Sequence, residues 1–220
     1  SFALLVYVSC WLKYHTPAAF TCALINSQPM GFYSASQLVQ DVHRHGVQVS
    51  AVDINCSDWD CSLEIGEEGA AVLRLGFRLV KGLSEEAGRR IVCERERGEY
   101  WQVQELLERA QLEQRELGLL ATAGALKALS GDRHRARWAV TGTEKPLPLF
   151  KSMPHYEASP LLKKPTEGQN IVADYQSTGL TLRRHPMCFL RSHLDRYDYM
   201  AAEQLAVRLT GQRINVAGLV

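Results

Sequence analysis

The chain has 220 residues, of which 46% are hydrophobic and 22% are charged. That length allows one large domain or two small ones with a hydrophobic core, and the proportion of hydrophobic to charged residues excludes a disordered chain. No apolar run approaches the roughly 20 residues of a membrane span, and six cysteines are too sparse for a disulfide scaffold. We therefore expect a cytoplasmic protein with reduced thiols and no membrane partner.

The net charge of +1 hides an asymmetry between the two parts of the chain. Residues 1–73 contain two basic and seven acidic side chains, whereas residues 74–220 contain 23 basic and 17 acidic ones. A basic excess on the second part suits contact with phosphates, and it equally suits an ordinary solvated surface.

The first 75 residues predict helices followed by short strands. Phe2 to Tyr14 is apolar on all sides and predicts a largely buried helix, and Pro17 can open a second helix that reaches about Asn26. Ser34 is the predicted N-cap of a third helix, which ends at Gly46. Alternating segments then predict three strands, at 47–54, 61–65 and 71–75.

The remainder of the chain predicts mainly helices. Four helices are expected, from the N-cap Ser84 to about Arg97, over 99–111, over 113–123 and over 133–140. The third of them ends at Gly124. In the second, the residues expected to face inward are Trp101, Val103, Leu106 and Leu107. Residues 141–169 hold five of the eight prolines and predict an exposed connector. Two or three short helices and a strand over 212–220 complete a fold that is mainly α with a small β element (α+β).

Both ends of the chain fall inside predicted elements. Ser1 opens the first helix without a methionine, and Gly218 to Val220 lie in the last predicted strand. We expect an internal piece of a longer polypeptide.

The first candidate binding motif is a glycine hairpin at 80–84 that leads into a capped helix. Glycine lets a backbone approach a phosphate closely, and the amides of the following helix favour an anion. Such a hairpin holds a phosphodiester backbone without reading bases. A plain turn with a helix cap is the alternative. The candidate DNA-binding residues here are Lys81, Gly82, Leu83, Ser84, Arg89 and Arg90.

A second glycine hairpin follows about 40 residues later, again between two predicted helices. Its candidate DNA-binding residues are Gly124, Ala125, Lys127 and Arg133. A helical turn packed in the core is the alternative for this hairpin alone. Two such units together favour a tandem helix–hairpin–helix domain that contacts both sides of a groove.

A third candidate lies in the proline-rich connector. Leu147, Leu149 and Phe150 form a short apolar segment of the kind that inserts into a pocket on a partner protein. The alternative is a loop that tucks these side chains onto its own domain.

The chain offers no catalytic centre or metal site by motif. Asp53, Asp58 and Asp60 resemble a magnesium site, but the surrounding residues favour a turn stabilised by aspartate side chains. His43 and His45 with Cys56 and Cys61 fit no zinc spacing. Four cysteines on apolar faces predict packing roles, namely Cys10, Cys22, Cys93 and Cys188.

Several stretches resemble the bacterial C-family DNA polymerases, the group that contains the replicative polymerase III alpha subunit. Residues 2–20 are similar to the end of the family's fingers region, and residues 24–33 and 53–61 resemble its error-prone branch. Residues 73–82 and 124–126 resemble the family's two hairpins. Residues 179–187 and 216–220 resemble the segment before its OB domain and that domain's first strand.

The resemblance implies a division of the chain and a function. It implies the end of the fingers region at 1–72, a tandem helix–hairpin–helix domain at 73–142, a linker at 143–168, a helical connector at 169–211 and a truncated OB strand at 212–220. It implies an error-prone DNA-directed DNA polymerase used in damage tolerance and translesion synthesis. This segment would hold primer–template duplex, and the catalytic aspartates, Mg²⁺ and the dNTP substrates would belong to a palm upstream.

The resemblance also bears on the third candidate. Residues 147–150 lie where replicative relatives carry a sliding-clamp motif that begins with glutamine, but Pro146 occupies the glutamine place. We therefore expect clamp contact either directly or through a partner protein. Two other functions stay open, a free-standing helix–hairpin–helix module in repair and a scaffold that docks a clamp or partner.

Overall fold

The computed structural model describes residues 2–66, 69–143, 161–207 and 211–218. Helices dominate it, which confirms a mainly α protein with a small β element. The helices are α1 Phe2–His15, α2 Pro17–Asn26, α3 Ala35–Arg44, α4 Glu85–Arg95, α5 Val103–Arg109, α6 Gln114–Ala123, α7 Lys127–Ser130, α8 Arg133–Gly142, α9 Glu167–Ser177 and α10 Met187–Leu194. Short 3₁₀ turns cover Phe77–Leu79, Asp195–Tyr197 and Ala202–Val207.

A three-stranded sheet lies beside the first helices. Its strands are β1 Val49–Ser50, β2 Ser62–Ile65 and β3 Ala71–Arg74, in the order β1-β3-β2. The central strand β3 runs parallel to β1 and antiparallel to β2, with Leu73 opposite both Val49 and Leu63. Further along, β4 Tyr199–Met200 and β5 Asn215–Val216 form a separate parallel pair.

Side-chain caps explain where several helices begin. The Ser34 hydroxyl oxygen accepts a hydrogen bond from the backbone N–H of Gln37, and the side-chain oxygen of Gln37 accepts one from the backbone N–H of Ser34. This capping box begins α3. Ser84 caps α4 in the simpler way, by accepting from the N–H of Ala87. Both serines occupy the N-cap positions that the sequence predicts.

One apolar core extends through most of the chain. It contains Ile25 of α2, Leu73 of β3, Phe77, Tyr100 near α5 and Leu180 after α9. The predicted division at residue 72 falls inside β3, so this core joins residues on both sides of it. The domain boundaries stay a prediction, and most of the predicted linker, residues 144–160, lies outside the described residues.

The prediction that the first helix is largely buried is wrong. α1 forms where expected, but it contains no buried residue, and the side chains of Phe2, Leu5 and Tyr7 are each more than 60% exposed. Among the described residues it contacts chiefly α2, and its Lys13 forms an ion pair with Asp41 of α3. Apolarity on all sides fits burial, but burial also requires partners that surround the helix.

Other local predictions need correction for related reasons. The first strand is Val49–Ser50 instead of 47–54, because only those residues pair with β3. Trp101 is 75% exposed instead of inward, since it precedes α5. Cys22 is buried as predicted, but Cys10, Cys93 and Cys188 are exposed.

The described helices include none that is long and apolar enough to cross a membrane.

Two helical glycines provide a matched test of this packing. A Cβ at Gly88 in α4 would lie 2.5 Å from Cε3 of Trp59, whereas a Cβ at Gly118 in α6 would meet no atom within 4 Å. We expect Gly88→Ala to lower the free energy of unfolding by about 1–3 kcal/mol through overpacking. Gly118→Ala should raise it by up to about 1 kcal/mol through helix propensity.

Urea denaturation of both variants measures this difference. Equal effects of the same sign would contradict the close contact between α4 and the turn that carries Trp59.

Candidate nucleic-acid interface

The first hairpin connects the 3₁₀ turn Phe77–Leu79 to α4. Gly82 lies in the left-handed region with φ +83°, a conformation that L side chains rarely adopt. Leu83 is buried and anchors the hairpin, while Ser84 caps the helix. Lys81 is exposed, and its Nζ donates to the carbonyl of Tyr175 over 2.9 Å. Since a carbonyl carries no net charge, the positive charge of Lys81 stays uncompensated there.

A residue that the sequence reasoning missed lies beside this hairpin. Arg115 in α6 is exposed, and its Nη2 would be 3.9 Å from a Cβ on Gly82. Cδ1 of Leu119, one helical turn later, would be 3.5 Å from the same Cβ. The spacing of 115 and 119 places these side chains on one helix face, but only the fold reveals which loop they face.

The two arginines predicted on α4 have different surroundings. Arg89 is 74% exposed and pairs with Glu85, one turn earlier on the same helix, at 2.6 Å. Arg90 is less exposed, and it donates through Nε to the carbonyl of Ala110 and also pairs with Glu86 and Glu116. Arg90 therefore connects α4 to the region between α5 and α6.

The second hairpin begins where α6 ends. Gly124 caps the helix in the left-handed region with φ +81°, as the sequence predicts. Ala125 is buried, its N–H donates to Leu120, and its carbonyl accepts from the N–H of Ile54 over 3.0 Å. Lys127 is exposed at the start of α7. Ala125 thus packs the hairpin against the turn after the sheet's first strand, and Lys127 is its outward cation.

Arg133 does not face solvent. Its side chain is 11% exposed and forms an ion pair with Asp174 of α9. Its guanidinium also donates to the carbonyls of Ala123 and Asn170. A cavity of about 470 Å³ lies beside this contact, and Lys127, Lys164 and Arg183 contribute cationic groups to its lining.

The cations near the hairpins therefore fall into two groups. Across residues 2–66, 69–143, 161–207 and 211–218, Lys81, Arg115 and Lys127 form no ion pair with a carboxylate. Arg89, Arg90 and Arg133 each pair with at least one. The first group has charge to offer an external anion. In the second group, Arg90 and Arg133 contribute to internal contacts, whereas the pair of Arg89 with Glu85 is exposed to solvent.

The aspartates at 53–60 stabilise the turn that the sequence predicts. Asp53 accepts from the N–H of Asn55 over 2.9 Å, as turn-forming aspartates do. Asp58 pairs with Arg95 at 2.7 Å, and Asp60 pairs with Arg78 at 2.6 Å. In the part of the chain that the structure describes, no group of three or more His, Cys, Asp or Glu side chains could hold a metal ion.

Thiols near the sheet are held in the neutral form. Burial raises the pKa of Cys61 to about 11, and burial likewise raises the pKa values of Cys22 and Cys56. Tyr100 has its pKa raised to about 12 by burial, and its hydroxyl donates to the carbonyl of Ile91. A nucleophilic cysteine needs a lowered pKa, which none of these three thiols has. Cys22 and Cys61 are buried and act as packing groups, whereas Cys56 is exposed.

The predicted partner-binding residues Leu147, Leu149 and Phe150 lie outside the described residues. Their role stays a prediction.

Comparison with known proteins agrees with the hairpin geometry. A family described as "Helix-hairpin-helix motif" matches residues 46–136, a range that includes both glycine hairpins. It begins well before residue 73, in agreement with the core that the sheet and the hairpins share.

Named relatives match the whole chain. It is 51% identical over 220 residues to the error-prone DNA polymerase of Alkalilimnicola ehrlichii and covers 22% of that protein. The error-prone DNA polymerases of Methylococcus capsulatus and Pseudomonas aeruginosa are 49% and 48% identical, with 23% and 21% of each covered. The chain thus spans about a fifth of the length of the curated relatives it matches.

The two arginines of α4 allow a direct test of the division between internal and outward cations. Arg90→Ala should lower the free energy of unfolding by about 1–2 kcal/mol, because it leaves the carbonyl of Ala110 without its donor. Arg89→Ala should change it by less than about 0.5 kcal/mol, as is usual for an exposed pair. Urea denaturation measures both, and a larger effect of Arg89→Ala would contradict the assignment.

Proposed function

We propose that this chain, which belongs to the bacterial error-prone DNA polymerases, binds duplex DNA through its two glycine hairpins without reading base sequence. The observation that carries the proposal is the set of unpaired cations at the hairpins, Lys81 and Arg115 at the first and Lys127 at the second. Cations that are already neutralised inside a protein contribute little to phosphate binding, whereas exposed unpaired ones release counterions from DNA.

Helix α6 supports the geometry of a two-point contact. Gly82 lies against Arg115 and Leu119 near the start and middle of α6, and Gly124 ends the same helix. At ~1.5 Å per residue, the two hairpins are separated by about 10 Å along the helix axis. Both can therefore contact the backbone of one duplex. Phosphate contacts of this kind position a duplex and carry no sequence information.

The activity of the whole protein is part of the proposal. We infer that it is a DNA-directed DNA polymerase that uses dNTPs and Mg²⁺, with the catalytic aspartates in a palm outside these 220 residues. Of the three aspartates that resemble a magnesium site in the sequence, Asp58 and Asp60 are engaged by Arg95 and Arg78. The contribution of this chain is to hold the primer–template and not to perform the chemistry.

Damage tolerance by translesion synthesis is the role that we infer from the names of the relatives. The bacterial cytoplasm, where the chromosome lies, is the compartment that we propose. Contact with a sliding clamp through Leu147, Leu149 and Phe150, direct or through a partner protein, is a further part of the proposal. Loss of clamp capture by the Phe150→Ala variant would support it.

The two other functions have less support. A free-standing repair module and a docking scaffold do not by themselves account for relatives that match the whole chain while extending far beyond it. Sequence-independent duplex binding fits the polymerase and the repair module alike. Primer extension by the protein as its gene encodes it separates these two.

Removal of the unpaired cations tests the proposed DNA contact. Arg115→Ala and Lys127→Ala should each weaken duplex binding by a similar factor on two unrelated sequences. Each should also reduce the slope of log affinity against log salt by about one unit per lost phosphate contact. Fluorescence anisotropy between about 50 and 200 mM salt measures both quantities.

Arg97→Ala is the matched control, because Arg97 is 75% exposed, pairs with Glu94 and lies beyond the end of α4 that is distant from the hairpin. It removes the same charge and should leave the salt slope unchanged. Equal effects of all three variants would mean that net charge, and not the hairpins, determines binding.

A further inference from the structure

Helix α9, in the segment that follows the proline-rich connector, is bonded to both hairpins. At the first hairpin, the backbone N–H of Lys81 donates to the carbonyl of Ser177 over 2.8 Å. The Nζ of the same lysine donates to the carbonyl of Tyr175 over 2.9 Å. The C-terminal turn of α9 therefore holds the residue that precedes Gly82.

The middle of α9 is bonded to the second hairpin through Arg133. The guanidinium of Arg133 donates to the carbonyl of Ala123, which directly precedes Gly124. It also donates to the carbonyl and to Oδ1 of Asn170, over 2.9 and 3.0 Å, and it pairs with Asp174. A Cβ on Gly124 would lie 3.0 Å from Nη2 of Arg133, so this contact covers the glycine itself.

Asp174 is the centre of these contacts. Its side chain is 14% exposed, and one carboxylate oxygen accepts from Arg133. The other accepts from the hydroxyl of Thr181 over 2.6 Å and lies 3.5 Å from Nε of Arg183. A carboxylate this well shielded from water interacts with its partners more strongly than an exposed one. Its removal would leave the largely buried Arg133 without its only charged partner among the described residues.

We propose that α9 is a brace that fixes the separation of the two hairpins, and that Asp174 is the positioning residue through which the brace acts on duplex binding. This inference rests on the proposed function, since it concerns how the two contacts with DNA cooperate. Two sites held at a fixed separation bind one ligand more tightly than two sites that move independently, because the second contact forms at a high effective concentration. Asp174 contributes to affinity through Arg133 and Asn170 without touching DNA.

The brace predicts that the effect of Asp174 depends on the presence of both hairpin contacts, which a purely stabilising role would not produce. A protein that has lost the contact at one hairpin gains nothing from a fixed separation. Loss of Asp174 should therefore weaken duplex binding when both contacts are present and have little effect when one has been removed.

The test measures duplex affinity for the protein as its gene encodes it, in the wild-type background and in the Lys127→Ala background, on a blunt duplex of about three turns at roughly 10 base pairs per turn. Asp174→Asn should weaken binding by about tenfold or more in the wild-type background and by much less in the Lys127→Ala background. Glu167→Gln is the matched control, since Glu167 also lies on α9 and pairs with an arginine, Arg184, but contacts neither hairpin. It should bind the duplex as its parent protein does in both backgrounds.

A milder variant keeps the test decisive if Asp174→Asn fails to fold. Asn170→Ala removes one acceptor of Arg133 and leaves the ion pair in place. It should produce a smaller loss that is again confined to the background in which both hairpin contacts are present.

The outcomes distinguish failure of the proposed function from failure of the brace. If the Arg115→Ala and Lys127→Ala double variant binds the duplex as the wild type does, the proposed function fails. If that double variant is weakened while Asp174→Asn and Asn170→Ala leave the affinity unchanged, or lower it equally in both backgrounds, the hairpins bind DNA and the brace is overturned.

Discussion

Guanidinium groups that donate to backbone carbonyls hold this fold together at its turns. The elements are short, so many carbonyl groups lie at helix ends and loops where no ladder satisfies them. Arg78 donates to the carbonyls of Asn26 and Gln28, Arg95 to those of Ile54 and Ser57, and Arg133 to those of Ala123 and Asn170. A planar group with five donors can join two or three loops at once, which a lysine cannot do with the same geometry.

This use of arginine decides which cations remain for a nucleic acid. The basic excess after residue 73 suggests phosphate binding, but many of those basic side chains bond to carbonyls and carboxylates of the protein itself. Among the residues that the structure describes, the hairpin cations without a carboxylate partner are Lys81, Arg115 and Lys127. They lie around left-handed glycines at the two hairpins that α6 connects. The proposed interface therefore follows from the internal pairing pattern more than from the net charge.

Residues close together in the sequence predict where the helices of this protein begin and end. Where a prediction is wrong, the reason lies in contacts with distant segments. Ser34, Ser84 and Gly124 begin or end helices as expected, because caps and left-handed glycines act within a few residues. α1 departs from the expectation because its burial depends on partners that pattern alone does not supply. Arg133 was predicted from its nearness to the second hairpin, but its partner Asp174 is 41 residues away in sequence.

The sequence by itself determined the helical class, the two glycine hairpins and the resemblance to C-family polymerases, because each depends on residues close together in the chain. Only the tertiary structure decided which cations are free, that Arg115 lies against Gly82, and that α9 bonds to both hairpins. These properties depend on contacts between segments separated by tens of residues. The geometry of such contacts is fixed by packing of the shared core and not by any local pattern.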